Sequence, residues 1–471
     1  MTESQQAWLP DLIYVDGEFR SGVGLIISAE GRVVSLAPPD DIHRQAESYR
    51  TLVTLKNKAL LPGLVNAHSH AFQRVIRGRT EYRSQESTDS FWTWRELMYS
   101  AANKLEAEDI YIASRMAFLE MALAGITAVG EFHYVHHSPN GQPYSDPNLL
   151  AKEVVRAAND VGLRILLLRV AYERNGFQKA TNPLQRRFIE DSDTYLNNLQ
   201  RLTSEMKDKA NMVQVGAAPH SVRAVSLPYL KAVNDYVREQ DIPMHMHVAE
   251  QPVEVSACIE EYGRSPVALL DTEGLLSDNF TAVHAIHVTP KAIEAFSRTG
   301  ATVCACPTTE RNLGDGVVPI DGYFNAGVSV SLGTDSQTQI DLLEDAREME
   351  YHLRLQRKER NILAPANVES TSALAARLFD CASRNGAKSI GFEGGQLEAG
   401  APADFFTVDL NDPSIAGSGT ADLLTNVVFS MSRTAVRDVV VGGKQIVQDG
   451  VHPWQEEIVE RFNDLQSRQW K

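Results

Sequence analysis

Ala59-Leu60-Leu61-Pro62-Gly63-Leu64-Val65-Asn66-Ala67-His68-Ser69-His70 decides how the chain is read. The apolar run predicts a β-strand. Residues two apart in a strand leave on the same face, so His68 and His70 point the same way. Neutral imidazole is the commonest protein ligand for zinc and similar divalent ions, and a strand that holds two rings rigidly removes part of the ordering cost of a metal site. A lone His-x-His pair is as compatible with a solvated strand, so the rest of the chain must decide.

Downstream, from about Leu61 to Ala387, short apolar runs alternate with helical stretches, the pattern of repeated βα units around a parallel sheet. A helix is expected over residues 108–124, stopped by Gly125, and a strand over 127–132. Further strands are expected at 213–217, 244–248, 280–284, 302–305 and 328–332. His68/His70, His133, His220, His247/Glu250, His284 and Asp335 each sit at or just after the end of one of these runs. A (β/α)₈ barrel gathers its catalytic groups at those ends, so we expect an α/β fold with a TIM-type (β/α)₈ barrel over residues 61–387. The first 58 residues read as short strands and turns, and the same texture returns at 403–408 and 436–447. Either set alone would make a marginal sheet, which predicts a composite β-sandwich from both chain ends, residues 1–60 and 388–452. An amphipathic C-terminal helix over 453–471 offers no chemistry.

Composition narrows the partners. With 471 residues, 43% of them hydrophobic, the chain can bury a large core. A net charge of −16 argues against nucleic acid and against an anionic membrane surface, so local basic residues must recognise any anionic small molecule. The four cysteines form no CxxC pattern and Cys304-Ala-Cys306 lies in an apolar run, which suits a reducing cytoplasm. The first ten residues lack a basic stretch followed by an apolar one, and no apolar stretch is long enough for a bilayer. We therefore expect a cytoplasmic enzyme.

His68, His70 and His247 would supply three imidazole ligands; His245 shares a strand face with His247, but Glu250 follows His247 at loop distance, where a carboxylate can reach a substrate. Asp335, in Gly333-Thr334-Asp335-Ser336, ends the last strand and could be both the fourth ligand and the acceptor of a water's proton. Such a set leaves an open position for water, which a divalent ion brings to a pKa of about 7. His284 would polarise the attacked centre or orient the hydroxide, and Glu250 would carry a proton to the leaving nitrogen. His287, at an odd offset, faces away. His133, His136 and His137 come with no carboxylated-lysine signal, so a single metal ion is expected.

The stretch ending in His68-Ser69-His70, the His247-x-x-Glu250 step, His284 and Gly333-Thr334-Asp335-Ser336 resemble the amidohydrolase superfamily, its deaminase branch in particular, over essentially the whole chain. That resemblance implies a barrel with a composite sandwich, one zinc ion, hydrolytic release of ammonia and a homodimer. Longer stretches resemble a deiminase family of that branch that acts on N-formimino-L-glutamate in histidine degradation. They are His68-Ser69-His70-Ala71-Phe72-Gln73-Arg74, Asp89-Ser90-Phe91-Trp92-Thr93-Trp94-Arg95, Glu131-Phe132-His133-Tyr134, Ala218-Pro219-His220-Ser221-Val222-Arg223 and Cys306-Pro307-Thr308-Thr309-Glu310 with the residues after it. The resemblance implies that Arg95 and Arg223 hold the substrate's carboxylates, with Gln73, Tyr134 and His220 as polar companions. Arginine suits this because its planar fork grips a carboxylate through two hydrogen bonds. Thr334, Gln337 and Arg311 depart from the family's pattern. A deaminase of a cyclic amidine such as guanine would use the same metal residues, and a metal-free binding protein could occupy the same barrel.

Overall fold

Gly63 divides the opening stretch between two units. In the computed structural model, which describes residues 5–82, 90–177, 179, 182–209 and 211–470, the strand Thr51–Pro62 belongs to a mixed sheet and Leu64–Ser69 opens a parallel barrel. A Cβ at Gly63 would lie 2.3 Å from Thr127 Oγ1, so only glycine allows the chain to pass there. Asp89, residues 1–4 and Lys471 lie outside the described residues.

The barrel strands follow in chain order: Leu64–Ser69, Ile126–His133, Arg164–Ala171, Val213–Pro219, Met244–Val248, Phe280–His284, Thr302–Ala305 and Val330–Leu332. Each pairs in parallel with the next. Such strands are buried on both faces and read as near-continuous apolar runs. Arg164–Ala171 is not among the expected strands. It is wholly buried and ends at Ala171, so the ligand-type residue that marks the other strand ends is missing. The helix Ala107–Leu123 followed by Gly125 at φ +83° agrees with the expectation.

The ring closes at a single point. Asp335 N donates to His68 O at 3.0 Å and His70 N donates to Asp335 O at 3.0 Å, just past the ends of the last and first strands. Gly333 permits this approach, since a Cβ there would stand 2.7 Å from His68 Cβ. At the other end of the barrel the short helix Arg384–Ser389 fills the base. Asn385 Nδ2 donates to Val330 O at 2.9 Å, and Ser389 Oγ lies 3.0 Å from Thr281 Oγ1 and 3.1 Å from Ser331 Oγ.

Both chain ends build the second unit, as one mixed sheet of eight strands. Its edge strand Val33–Ala37 meets the segment leading into the interior strand Phe405–Asp409, where Val33 N donates to Ala401 O at 2.9 Å and Ala403 N to Gly31 O at 2.8 Å, so the sheet folds over a core of its own that includes Trp8, Leu25, Leu60 and Phe405. The helix Gln455–Gln469 buries Ile458, Phe462 and Leu465, and Gln466 Nε2 donates to Val75 O at 3.0 Å. Among the described residues no helix is long and apolar enough to cross a membrane.

Candidate active site

His68, His70 and His247 bring their Nε2 atoms together at the C-terminal end of the barrel. The three separations are 3.2 Å, 3.2 Å and 3.4 Å. Asp335 Oδ1 completes the group at 3.4 Å from His68 Nε2 and 3.2 Å from His70 Nε2. Ligands of a tetrahedral ion bound at about 2.0–2.1 Å stand roughly 3.3–3.4 Å apart, so this spacing fits a zinc-sized cation. The rings are also turned correctly. His70 Nδ1 donates to Phe132 O at 2.9 Å and His247 Nδ1 to His220 O at 3.1 Å, which leaves the Nε2 lone pairs facing inward. Burial pushes His68 down to about 3 and His247 well below the usual imidazole range, keeping both neutral. Burial works against the charge of Asp335, yet the His68 and His70 rings outweigh it and hold the carboxyl well below its ordinary value.

His245, two residues before His247 on the same strand, lies at the barrel base, where its Nε2 donates to Ser389 O at 2.7 Å. His287 Nε2 donates to Asp315 O at 2.8 Å, away from the cluster. His136 and His137 donate to the carbonyls of Val170 and Ile189 at 2.8 and 3.0 Å, and His133 is buried outside the metal-type groups of the described residues.

His284 stands beside the cluster, with Nε2 3.7 Å from Glu250 Oε1 and 3.8 Å from Asp335 Oδ2. Burial opposes a charge on His284, but the carboxylates of Glu250, Glu310 and Asp335 raise its pKa well above the ordinary value. Burial raises the Glu250 carboxyl, as suits a group that must carry a proton. The backbone here is strained: Ala249, His284, Ala285, Asp335 and Gln337 have φ of 51°, 69°, 48°, 45° and 62°. Left-handed conformations at non-glycine residues cost about 1–3 kcal/mol each and persist only where the surroundings over-determine them. A chain of hydrogen bonds supplies that support: Thr334 N donates to Asn66 Oδ1 at 3.0 Å, Thr334 Oγ1 to Gln337 Oε1 at 3.0 Å, and Gln337 Nε2 to Ser69 Oγ at 2.8 Å. Thr334 and Gln337, the departures seen in the sequence, thus tie the first strand to the last.

Above the cluster lies a cavity of 40 Å³ whose walls include His70, Gln73, Arg95, Tyr134, His220, Arg223, Glu250 and Asp335. All five expected substrate-binding residues therefore converge on one space. Gln73 Nε2 donates to Tyr134 Oη at 2.8 Å, and Gln73 Oε1 is buried without a partner among the described residues. The Arg95 guanidinium lies 4.5 Å from the Trp92 ring and 5.5 Å from the Tyr99 ring, and that of Arg223 lies 6.0 Å from Trp92. Arg95 Nε and Nη1 and Arg223 Nη1 are buried without acceptors, and among the described residues neither guanidinium has a carboxylate partner. The same two arginines line an outer cavity of 190 Å³. A larger cavity, 690 Å³, lies at the junction of barrel base and mixed sheet, lined by Arg32, Arg164 and Lys444 and far from these groups.

Sequence reasoning missed Glu310, which meets His284, and the tyrosine pair Tyr99 and Tyr172, whose hydroxyls lie 3.1 Å apart. A carboxylate in the first helical turn after the seventh strand was the available signal for Glu310.

A barrel with this rim defines a class. The Amidohydrolase family profile matches residues 59–446, and the chain belongs to that family. It is a hydrolase acting on carbon–nitrogen bonds. The chain is 38% identical, over 86% of its length and 88% of the relative's, to the formimidoylglutamate deiminase of Pseudomonas aeruginosa. It is 25% identical to the 5-methylthioadenosine/S-adenosylhomocysteine deaminase of Haloarcula marismortui, over 90% of this chain and 88% of that one. A crystal structure of an amidohydrolase from Brucella melitensis superposes with a TM-score of 0.89 at 31% identity, covering 99% of this chain and 100% of that one.

Proposed function

We propose that the chain hydrolyses N-formimino-L-glutamate to N-formyl-L-glutamate and ammonia, with one zinc ion among His68, His70, His247 and Asp335. The observation that carries this reading is the pair Arg95 and Arg223, whose buried guanidinium nitrogens lack carboxylate partners among the described residues, on the wall of a cavity that begins at the metal-type cluster. Buried cations without counter-ions are expensive, and a dianionic substrate supplies the missing charge. The 38% identical relative carries the matching name.

An ion bound there would make water ionise near neutral pH. Asp335 accepts the water's proton through the carboxylate oxygen nearest His284. His284 Nε2 steadies the oxygen as it adds to the formimino carbon, and Glu250 protonates the nitrogen that leaves as ammonia. Arg95 and Arg223 grip the carboxylates, while Gln73, Tyr134 and His220 fix the head group between them and the reacting centre. The four free, buried cysteines support a reducing cytoplasm as the site of action, and the substrate places the reaction in histidine degradation.

The test is ammonia release from N-formimino-L-glutamate by metal-loaded protein, beside guanine and beside a His68→Ala/His70→Ala double variant. Turnover of the formimino acid alone, lost in the variant, is expected. A fully metallated protein that leaves this substrate untouched would end the assignment.

A further inference from the structure

Behind His284 stands a residue that the proposed chemistry does not use. Glu310, in the helix Pro307–Leu313, is 1% exposed. Its Oε1 lies 3.2 Å from His284 Nδ1 and accepts from Cys306 N at 2.9 Å. The opposite nitrogen, Nε2, has no hydrogen-bond partner among the described residues and faces Glu250 and Asp335.

A carboxylate fixed at one ring nitrogen holds a proton there in the neutral and in the charged imidazole alike. We propose that Glu310 is a positioning residue that keeps a proton on His284 Nδ1, so that Nε2 alone is presented to the reacting centre. The backbone gives a second reason for such a support. His284 and Ala285 are both left-handed, so the ring is delivered by a strained segment whose orientation must be held from outside the strand. Tyr323 Oη donates to Ala285 O at 2.6 Å and secures the backbone, and Glu310 secures the ring.

His284, Glu310 and Cys306 are also close enough to hold a cation. That role excludes the proposed one, because Nδ1 either donates its proton to Glu310 or lends its lone pair to an ion. The hydrogen bond is favoured, since Glu310 Oε1 already serves the Cys306 amide.

This inference rests on the function proposed above for its kinetic arm only. With N-formimino-L-glutamate, Glu310→Leu is expected to lower kcat by about 10–100-fold, the range typical for a lost orienting partner, with KM within about twofold and one metal ion per chain. Glu310→Gln keeps an acceptor and should remain within about fivefold of wild type. His284→Ala/Glu310→Leu should be no slower than His284→Ala alone, because the carboxylate acts through the ring. Independently of any substrate, [15N]histidine-labelled protein should show an Nδ1–H resonance that vanishes in His284→Ala and in Glu310→Leu and persists in Glu310→Gln. The proposal is overturned by a Glu310→Leu variant with kcat within twofold of wild type, by independent losses in the double variant, or by a second metal ion per chain that Glu310→Leu removes. Should Glu310→Leu not fold, Glu310→Ser, which leaves room for a water, carries the same expectations. A wild-type protein that releases no ammonia from this substrate would count against the function, while the resonance would still decide the role of Glu310.

Discussion

His247 and His245 share a strand, a face and a residue type, and they do unrelated things. His247 sits at the C-terminal rim, where its Nε2 joins two other imidazoles at 3.2 and 3.4 Å. His245 sits at the base, where its Nε2 donates to Ser389 O amid a web of hydroxyls from Thr281, Thr302 and Ser331. At the base the deficit is confined to His245 Nδ1, buried without a partner among the described residues, whereas at the rim it is widespread. At the rim polar atoms of Gln73, Arg95, Arg223 and His284 have no partners among the described residues, and five non-glycine residues are held left-handed. The lesson is that a buried histidine becomes a ligand through the company its ring nitrogen keeps, which only the far end of the chain decides.

The largest effect should come from breaking the rim. His247→Ala is expected to lower kcat/KM at least about 1,000-fold and to release the metal, since several kcal/mol of stabilisation come with the ion; metal content and ammonia release measure it. Removing one cation from the anion-binding wall should do less. Arg95→Ala should lower kcat/KM for the formimino di-acid by about 10–100-fold, the worth of one or two hydrogen bonds to charge, and kinetics show whether the loss falls on this substrate alone. If a cyclic amidine were the true substrate, the same variant would leave its turnover unchanged.

At the base the expected currency is stability. His245→Leu removes the shorter of two donors to Ser389 O, leaving the Thr281 hydroxyl at 3.4 Å, and should cost about 1–3 kcal/mol in denaturant unfolding with kcat within twofold. A large loss of activity in a stable variant would erase the distinction between the two histidines. The smallest effect sharpens it by pH. Burial pushes His245 down to about 4, whereas the unfolded chain takes up that proton near the ordinary imidazole value of 6.5. The unfolded state therefore binds more protons between those values, and the stability due to His245 falls as pH drops through the window. The advantage of wild type over His245→Leu should shrink by about 1–2 kcal/mol between pH 7 and pH 5. An advantage independent of pH would mean that the ring is already charged when folded.

The barrel was legible because its chemistry marks its strand ends. His68, His133, His247 and His284 announce the strands that carry them, and Arg164–Ala171, which carries none, escaped notice. The choice of His247 over His245 came from Glu250 three residues on, a local clue that the rim geometry matches. Glu310 and Ser389 gave no such clue, because their meaning depends on contacts across 26 and 144 residues of chain. The same holds for Gly63. The run from Ala59 to Val65 reads as one strand, and only the crowding against Thr127 shows that two units meet there.

The single bridge between Ser69 and Asp335 has a consequence for how the molecule comes into being. Two histidines of the candidate metal cluster stand on one side of the barrel's seam and the carboxylate on the other, separated by more than 260 residues of chain. A cation seated there would act as a clasp across that loop, and the longer the loop it closes, the more freedom it removes from the open chain. With Asp335 among its ligands, such a cation would complete its coordination only once the last strand had been laid against the first.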